Sequence, residues 1–587
     1  MRLAAIAKFA CILCVLCASS LFAAALDREA FTVTKYDLEI RLEPDQQRLG
    51  ARGKITLRND SAQPQQIVAL QISSSLDWRA IRAADKALQF VSQPFTSDID
   101  HTGALSEAIV TLPAEIKPKD SVELEVGYEG VIPLDATRLA RVGVPDAIAR
   151  HTSWDHIGAS FTAVRGAGYV AWYPITSESA DFSEGNSLFE VTDRLRAREA
   201  GSEFHVNIHV DGDGNQEMPV VVCSSADPSW IEATGVQRSG TTCSLKSLGT
   251  AVPTFAVARY KSSYKDPLNL FSLPDHESGA ATYAEAFDPA TTFVTEWFGK
   301  PRAPIAIADL ADPHAAPFES GTLLMVSMEG EDTKQAGINL VHELVHSAFA
   351  SPRPWVYEGL AHFAEAAYRE QQGGRSAALD LLASHRAAFL DAEKTIPGAP
   401  VKDIGPPLAA TFDEIYYRSK AAYVWWMLRD MAGQDALKAA IAKYKAEDDR
   451  DPKYVEGLIE AAAKRDLAWF FEDWVYHDRG LPDVRVLAVH PWEDDKPGDT
   501  AASEKRARMI TVTLENSGNA GAEVPFTVRC AGSEVSRRLE VRAKSTATMR
   551  VELSEAPIEV AVNDGSVPED NVSNNVFKIS STDTKPK

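Results

Sequence analysis

From Phe31 onward the chain alternates apolar and polar side chains with a period of two, most clearly in Tyr36-Asp37-Leu38-Glu39-Ile40-Arg41-Leu42. Successive side chains of a strand point to opposite faces, so this run predicts a half-buried strand. Pro44, Asp45 and Gly50 interrupt the alternation before it resumes in Gly53-Lys54-Ile55-Thr56-Leu57, which predicts a β-hairpin. Near Tyr283 the period changes to that of a helix. Phe287 to Phe298 is apolar-periodic and ends on Gly299 with Pro301 following, a helix stop, and Ala303 to Leu310 then predicts a buried strand. Ile338, Val341, Val345, Ala348 and Phe349 form an apolar helical stripe, and Ala-, Leu- and Lys-rich helices are expected over 375–395, 434–445 and 453–466. Beyond a charged, Pro-containing stretch, Ile510–Leu514, Phe526–Cys530, Leu539–Val541 and Ile558–Val562 are short alternating strands separated by turn residues, which predicts a small β-sandwich.

These shifts divide the 587 residues into a multidomain α+β chain. The expected divisions are a signal peptide over 1–25, a β domain over 26–264, a mainly α domain over 265–484, a linker over 485–507 and the sandwich over 508–587. Arg2 and Lys8 precede an apolar run, Phe9 to Ala25, that ends in Ala23-Ala24-Ala25, the pattern of a secretory signal. Export to the periplasm or the extracellular space is therefore expected, with no stable membrane insertion once the signal is removed. Cys17 follows Leu16 rather than a small residue, which argues against lipoprotein processing. Cys11, Cys14 and Cys17 leave with the signal; Cys223 and Cys243, on neighbouring expected strands, are placed to form a disulfide, leaving Cys530 as a thiol. With 83 acidic and 60 basic residues the formal charge is −23, which disfavours nucleic acid and anionic lipid as partners.

The chemistry concentrates in His342-Glu343-Leu344-Val345-His346. Residues four apart share a helix face, so His342 and His346 can offer two ring nitrogens to one Zn²⁺, while Glu343, about 100° round the helix, reaches a water as general base. A third ligand is needed. Pro352 and Pro354 end this helix and start another, on which Glu358 and Glu365 lie two turns apart and face the same way. Either carboxylate fits.

The pairing of this motif with Trp355-Val356-Tyr357-Glu358-Gly359-Leu360-Ala361 resembles the gluzincin aminopeptidases of the alanyl and leukotriene-hydrolase type. In that family the Glu before Gly is the third zinc ligand, which implies Glu358, although the family spacing from the second His would select Glu365. Glu365 then suits the orientation of a ligand histidine through its other ring nitrogen. Tyr416-Tyr417-Arg418-Ser419-Lys420 is similar to the family's Tyr-x-Lys helix start, whose tyrosine hydrogen-bonds the oxyanion; Tyr417 is the implied equivalent and Tyr416 the alternative. Phe318-Glu319-Ser320 is the nearest counterpart of the family's amine-binding strand, which implies Glu319 for the substrate's amino terminus, with the family's Gly, Met and Asn missing.

The resemblance extends to the hairpin, to Tyr128-Glu129-Gly130, to the stretch from Tyr169 ending Trp172-Tyr173-Pro174-Ile175, to Phe255–Ala258 and to Phe470–Val475. It implies an N-terminal β-saddle over about 31–262 and a mainly α, thermolysin-like catalytic domain, and no counterpart of the family's C-terminal helical domain is expected. The implied activity is that of a secreted zinc metallopeptidase with one Zn²⁺ per chain and a peptide or protein substrate, acting as an aminopeptidase. Endopeptidase action by the same chemistry, or a non-catalytic binding scaffold, are the alternatives.

Overall fold

The computed structural model describes residues 26–579 apart from 151, 153, 185–186, 212–217, 225, 228–237, 393–405, 493–507 and 570. The expected signal peptide and residues 493–507 of the expected linker lie outside the described residues. Among the described residues, no helix is long and apolar enough to cross a membrane.

The alternating runs form the expected hairpin. Strands β1 (Phe31–Glu43) and β2 (Arg48–Asn59) pair antiparallel, with Gln47 left-handed at the turn. Tyr36, Leu38, Ile40 and Leu42 are fully buried on one face of β1, as period two requires. The pair sits inside an eight-stranded sheet: β2 continues into β3 (Ser121–Val131), and helix α1 (Ser187–Glu199) leads into β4 (Glu203–Asp211), which runs parallel to β1. Tyr36, Trp172, Tyr173, Phe204 and Phe255 interlock beneath the sheet, mostly edge to face. Tyr36 Oη also reaches the buried carboxyl of Glu199 at 3.2 Å. Cys223 and Cys243 form the expected disulfide, and Cys530 is a thiol.

A second sheet carries the candidate site. Its strands are β5 (Lys261–Lys265), β6 (Leu268–Ser272), β7 (Ile305–Asp309), β8 (Phe318–Ser320) and β9 (Leu323–Val326), in the order β5-β6-β7-β9-β8, so β8 is an edge. Helix α2 (Glu277–Phe298) stops at Gly299 as expected. The division placed at 264–265 falls inside β5. All five residues of that strand are exposed, so no apolar alternation signals it.

Helices α3 (Thr333–Ala348) and α4 (Pro354–Ala392) follow, with Asp332 capping α3 and Gly374 interrupting α4. A π-helical turn over Ile415–Lys420 runs into α5 (Ala421–Ala432), succeeded by α6 (Gln434–Lys443) and α7 (Tyr454–Ala463). Gly359 permits close contact here: a Cβ at this position would lie 2.6 Å from the Ala421 Cβ and 3.0 Å from the Trp425 ring. The Trp355 and Trp425 rings stack, and Trp425 Nε1 donates to the Trp355 carbonyl. The π turn is anchored by Lys420, whose Nζ donates to Asp478 Oδ1 at 2.8 Å with both side chains buried.

The C-terminal strands form a three-stranded and a four-stranded sheet that share a core with the helices. The first contains β10 (Val484–Trp492), paired with Arg508–Asn516. Residues 485–492 are therefore strand and not linker. A register shift between Val486 and Ala488 breaks the period-two alternation that would have announced it.

Two expectations follow from this packing. Lys420→Met leaves Asp478 buried without its cation and should destabilise the chain by about 3–5 kcal/mol, read as a lowered denaturation midpoint; an unchanged midpoint would show the pair to be dispensable. Burial raises the Glu199 carboxyl to about 8, against the opposing effects of Arg198 and Tyr36. Its contribution to stability is thus complete below the ordinary glutamate range and lost as pH rises through about 8. Glu199→Gln should flatten the decline in melting temperature between about pH 4.5 and pH 8.

Candidate metal centre

The site forms where α3, the first turn of α4 and strand β8 meet. On α3, His342, Glu343 and His346 all face inward and are buried. The two Nε2 atoms lie 3.0 Å apart. From α4, Glu358 Oε2 is 3.8 Å from His342 Nε2 and 3.7 Å from His346 Nε2. From β8, Glu319 Oε2 is 2.9 Å from His342 Nε2, and its other oxygen is 4.0 Å from His346 Nε2.

The donor set fits a metal ion. Four ligand atoms, one each from Glu319, His342, His346 and Glu358, lie within 4.8 Å of one another. Tetrahedral zinc with bonds of about 2.1 Å separates its ligands by roughly 3.4 Å, and the spacings above bracket that figure. Unpaired polar atoms point the same way: both Glu343 oxygens and Glu358 Oε2 are buried with no hydrogen-bond partner. A buried carboxylate oxygen without a donor is costly unless a cation or water completes it.

The surroundings fix these side chains. His342 Nδ1 donates to Glu365 Oε1 at 2.7 Å, which turns the Nε2 lone pair inward. Glu365 Oε2 also reaches His362 Nδ1 at 3.3 Å, and the His362 ring packs on His385. Of the two carboxylates left open by the helix spacing, Glu358 thus lies on the Nε2 side and Glu365 on the Nδ1 side. Glu358 Oε1 accepts from Thr250 Oγ1 at 2.9 Å, and Tyr357 stacks on His346. Strand β8 is pinned at both ends. Phe318 packs between Trp154 and Tyr169, with Arg165 lying over the Tyr169 ring, and Ser320 Oγ donates to the Val252 carbonyl.

Electrostatics separates the two acids nearest the imidazoles. Burial, reinforced by Glu319, pushes the Glu343 carboxyl well above the usual range. Burial acts on Glu319 too, but Arg418 and His342 outweigh it and hold that carboxyl well below. Arg418 Nη2 donates to Glu319 Oε1 at 2.9 Å, and its Nε lies 3.9 Å from Glu358 Oε2.

Arg418 was not singled out as a site residue from sequence, although it occupies the position two before Lys420. It lies in the π-helical turn, which contains one residue more than an α-helical turn, and its guanidinium is turned to the carboxylates. Tyr417 is fully buried, beside Arg418, and its hydroxyl is held neutral by burial. Tyr416 is also buried, with Lys420 Nζ 5.4 Å from the centre of its ring. Thr250, His362 and His385 were likewise missed; Thr250 is 108 residues from its partner in a stretch with no pattern of its own.

No family model matches this chain, and no curated protein matches it. In fold it is similar to the crystal structure of Legionella pneumophila aminopeptidase A in complex with aspartic acid, with a TM-score of 0.58 at 12% sequence identity. The match covers 92% of this chain and 59% of that one, so the chain spans about three fifths of the length of its structural relative. The chain has a mixed α/β, multidomain, aminopeptidase-like fold, and within it a Glu–His–His–Glu cluster able to hold a metal ion.

Proposed function

We propose that this protein is an exported zinc metallopeptidase of the gluzincin type, acting as an aminopeptidase. The observation that carries the reading is the convergence of His342 Nε2, His346 Nε2 and Glu358 Oε2 on one buried point beside an unpaired Glu343. These three residues would hold the ion, and Glu365 would keep the His342 ring in place. When bound, Zn²⁺ supplies Lewis acidity towards the scissile carbonyl and makes water acidic enough to attack near neutral pH.

The remaining work belongs to side chains of the chain itself. Glu343, with its raised proton affinity, takes the proton of the attacking water and delivers it to the departing amine. Tyr417, neutral and fixed, donates a hydrogen bond from its hydroxyl to the developing oxyanion. Glu319 receives the substrate's amino terminus. The domain reading belongs with this proposal: a β-saddle before the catalytic domain and a sandwich after it, the latter beginning with β10. Export is supported by the Cys223–Cys243 disulfide, since such bonds persist in oxidising compartments, and by the apolar N-terminal run.

Glu343→Gln should retain about one zinc per chain and lose roughly 10²–10⁴-fold in kcat; full turnover in that variant would reject the mechanism. Peptides with free amino termini should be cleaved and their N-acetylated versions spared. Equal cleavage of both would establish the endopeptidase alternative, which the Arg418–Glu319 pair favours because it occupies the amine-binding carboxylate.

A further inference from the structure

Arg418 is a cation for which the zinc chemistry has no use. One of its nitrogens pairs with Glu319, its Nε is unpartnered, and the side chain retains 31% exposure. A second guanidinium approaches from the N-terminal region: Arg196 on α1 donates to Glu414 at 2.7 Å, again with Nε buried and unpartnered. Both cations act on Glu414 and on Tyr417. Beside the imidazoles, Arg418 therefore keeps one guanidinium N–H with no hydrogen-bond acceptor.

Glu319 has the opposite condition. Its Oε1 accepts from Arg418, its Oε2 lies 2.9 Å from the His342 Nε2 assigned to the ion, and Glu358 Oε1 accepts from Thr250. A substrate ammonium at Glu319 competes with Arg418 for that carboxylate. A neutral substrate whose ammonium takes Glu319 would leave that guanidinium with no hydrogen-bonded carboxylate, Glu358 Oε2 standing 3.9 Å away, which is unfavourable. A substrate that brings a carboxylate compensates both partners at once: the ammonium pairs with Glu319 and the carboxylate with Arg418, whose planar fork matches it.

We infer that Arg418 is a specificity-determining residue that binds the carboxylate side chain of the substrate residue next to the scissile bond, exchanging Glu319 for it. The substrate class is peptides beginning with Asp or Glu. The inference rests on the metallopeptidase reading for its catalytic consequence, but carboxylate recognition is measurable without turnover.

The test is calorimetric binding of L-aspartic acid α-amide and L-asparagine α-amide to the zinc-loaded full chain, paired with hydrolysis of peptides beginning with Asp or Asn. The aspartyl amide should bind about 10- to 100-fold more tightly, the margin of one charge-assisted contact. Arg418→Gln should abolish the difference, and Arg418→Lys should keep part of it, retaining charge without the fork. The wild-type comparison needs no variant, so a poorly folded Arg418→Gln protein does not weaken the test. Equal binding of the two amides, or hydrolysis of Asn peptides as efficiently as Asp peptides, overturns the inference and leaves the peptidase reading standing. Tight aspartyl-amide binding with no hydrolysis of any peptide upholds carboxylate recognition and overturns the peptidase reading.

Discussion

Three carboxylates, Glu319, Glu343 and Glu358, are gathered beside two imidazoles in the interior of this protein, and the packing around them exists to make that concentration of negative charge tolerable. Burying an isolated carboxylate is prohibitively unfavourable, so each must be neutralised, hydrogen-bonded or paired. All three solutions occur. Glu343 is pushed towards its neutral form, Glu358 accepts from Thr250, and Glu319 is held between His342 and Arg418. A divalent cation among the same donors would relieve all of them together, which is why the cluster makes most sense as a metal site.

Holding that cluster takes both halves of the chain. The helices supply the ligand faces: Gly359 lets α4 approach α5, and the Trp355–Trp425 stack fixes the turn that carries Glu358. The β-rich region supplies Thr250, the Val252 carbonyl and the aromatic seat around Phe318, so the edge strand bearing Glu319 is fastened from outside the helical layer. Arg196 crosses in the same direction to Glu414. The cleft is thus a composite.

What the sequence makes legible follows from the range of the forces involved. The hairpin and the His342–His346 pair are readable because strand and helix periods are local properties, and Glu365 is readable because two turns of one helix fix its direction. Thr250 is not, since its role arises from a contact 108 residues away. Arg418 is obscured differently: it stands in a π-helical turn, whose extra residue no local period signals. At β10 a bulge disrupts the alternation, and at β5 complete exposure removes it. A distant partner, a local irregularity or full exposure accounts for each of these.

The central claim is that His342, His346 and Glu358 share one zinc ion. Anomalous diffraction from crystals of the purified protein, recorded on both sides of the zinc absorption edge, tests it most directly. The account predicts one peak roughly 2.0–2.2 Å from both Nε2 atoms and from a Glu358 oxygen, with Glu365 still on His342 Nδ1. A zinc-supplemented crystal with no peak at that point, or with the peak on the Nδ1 side between His342, His362 and Glu365, would contradict it.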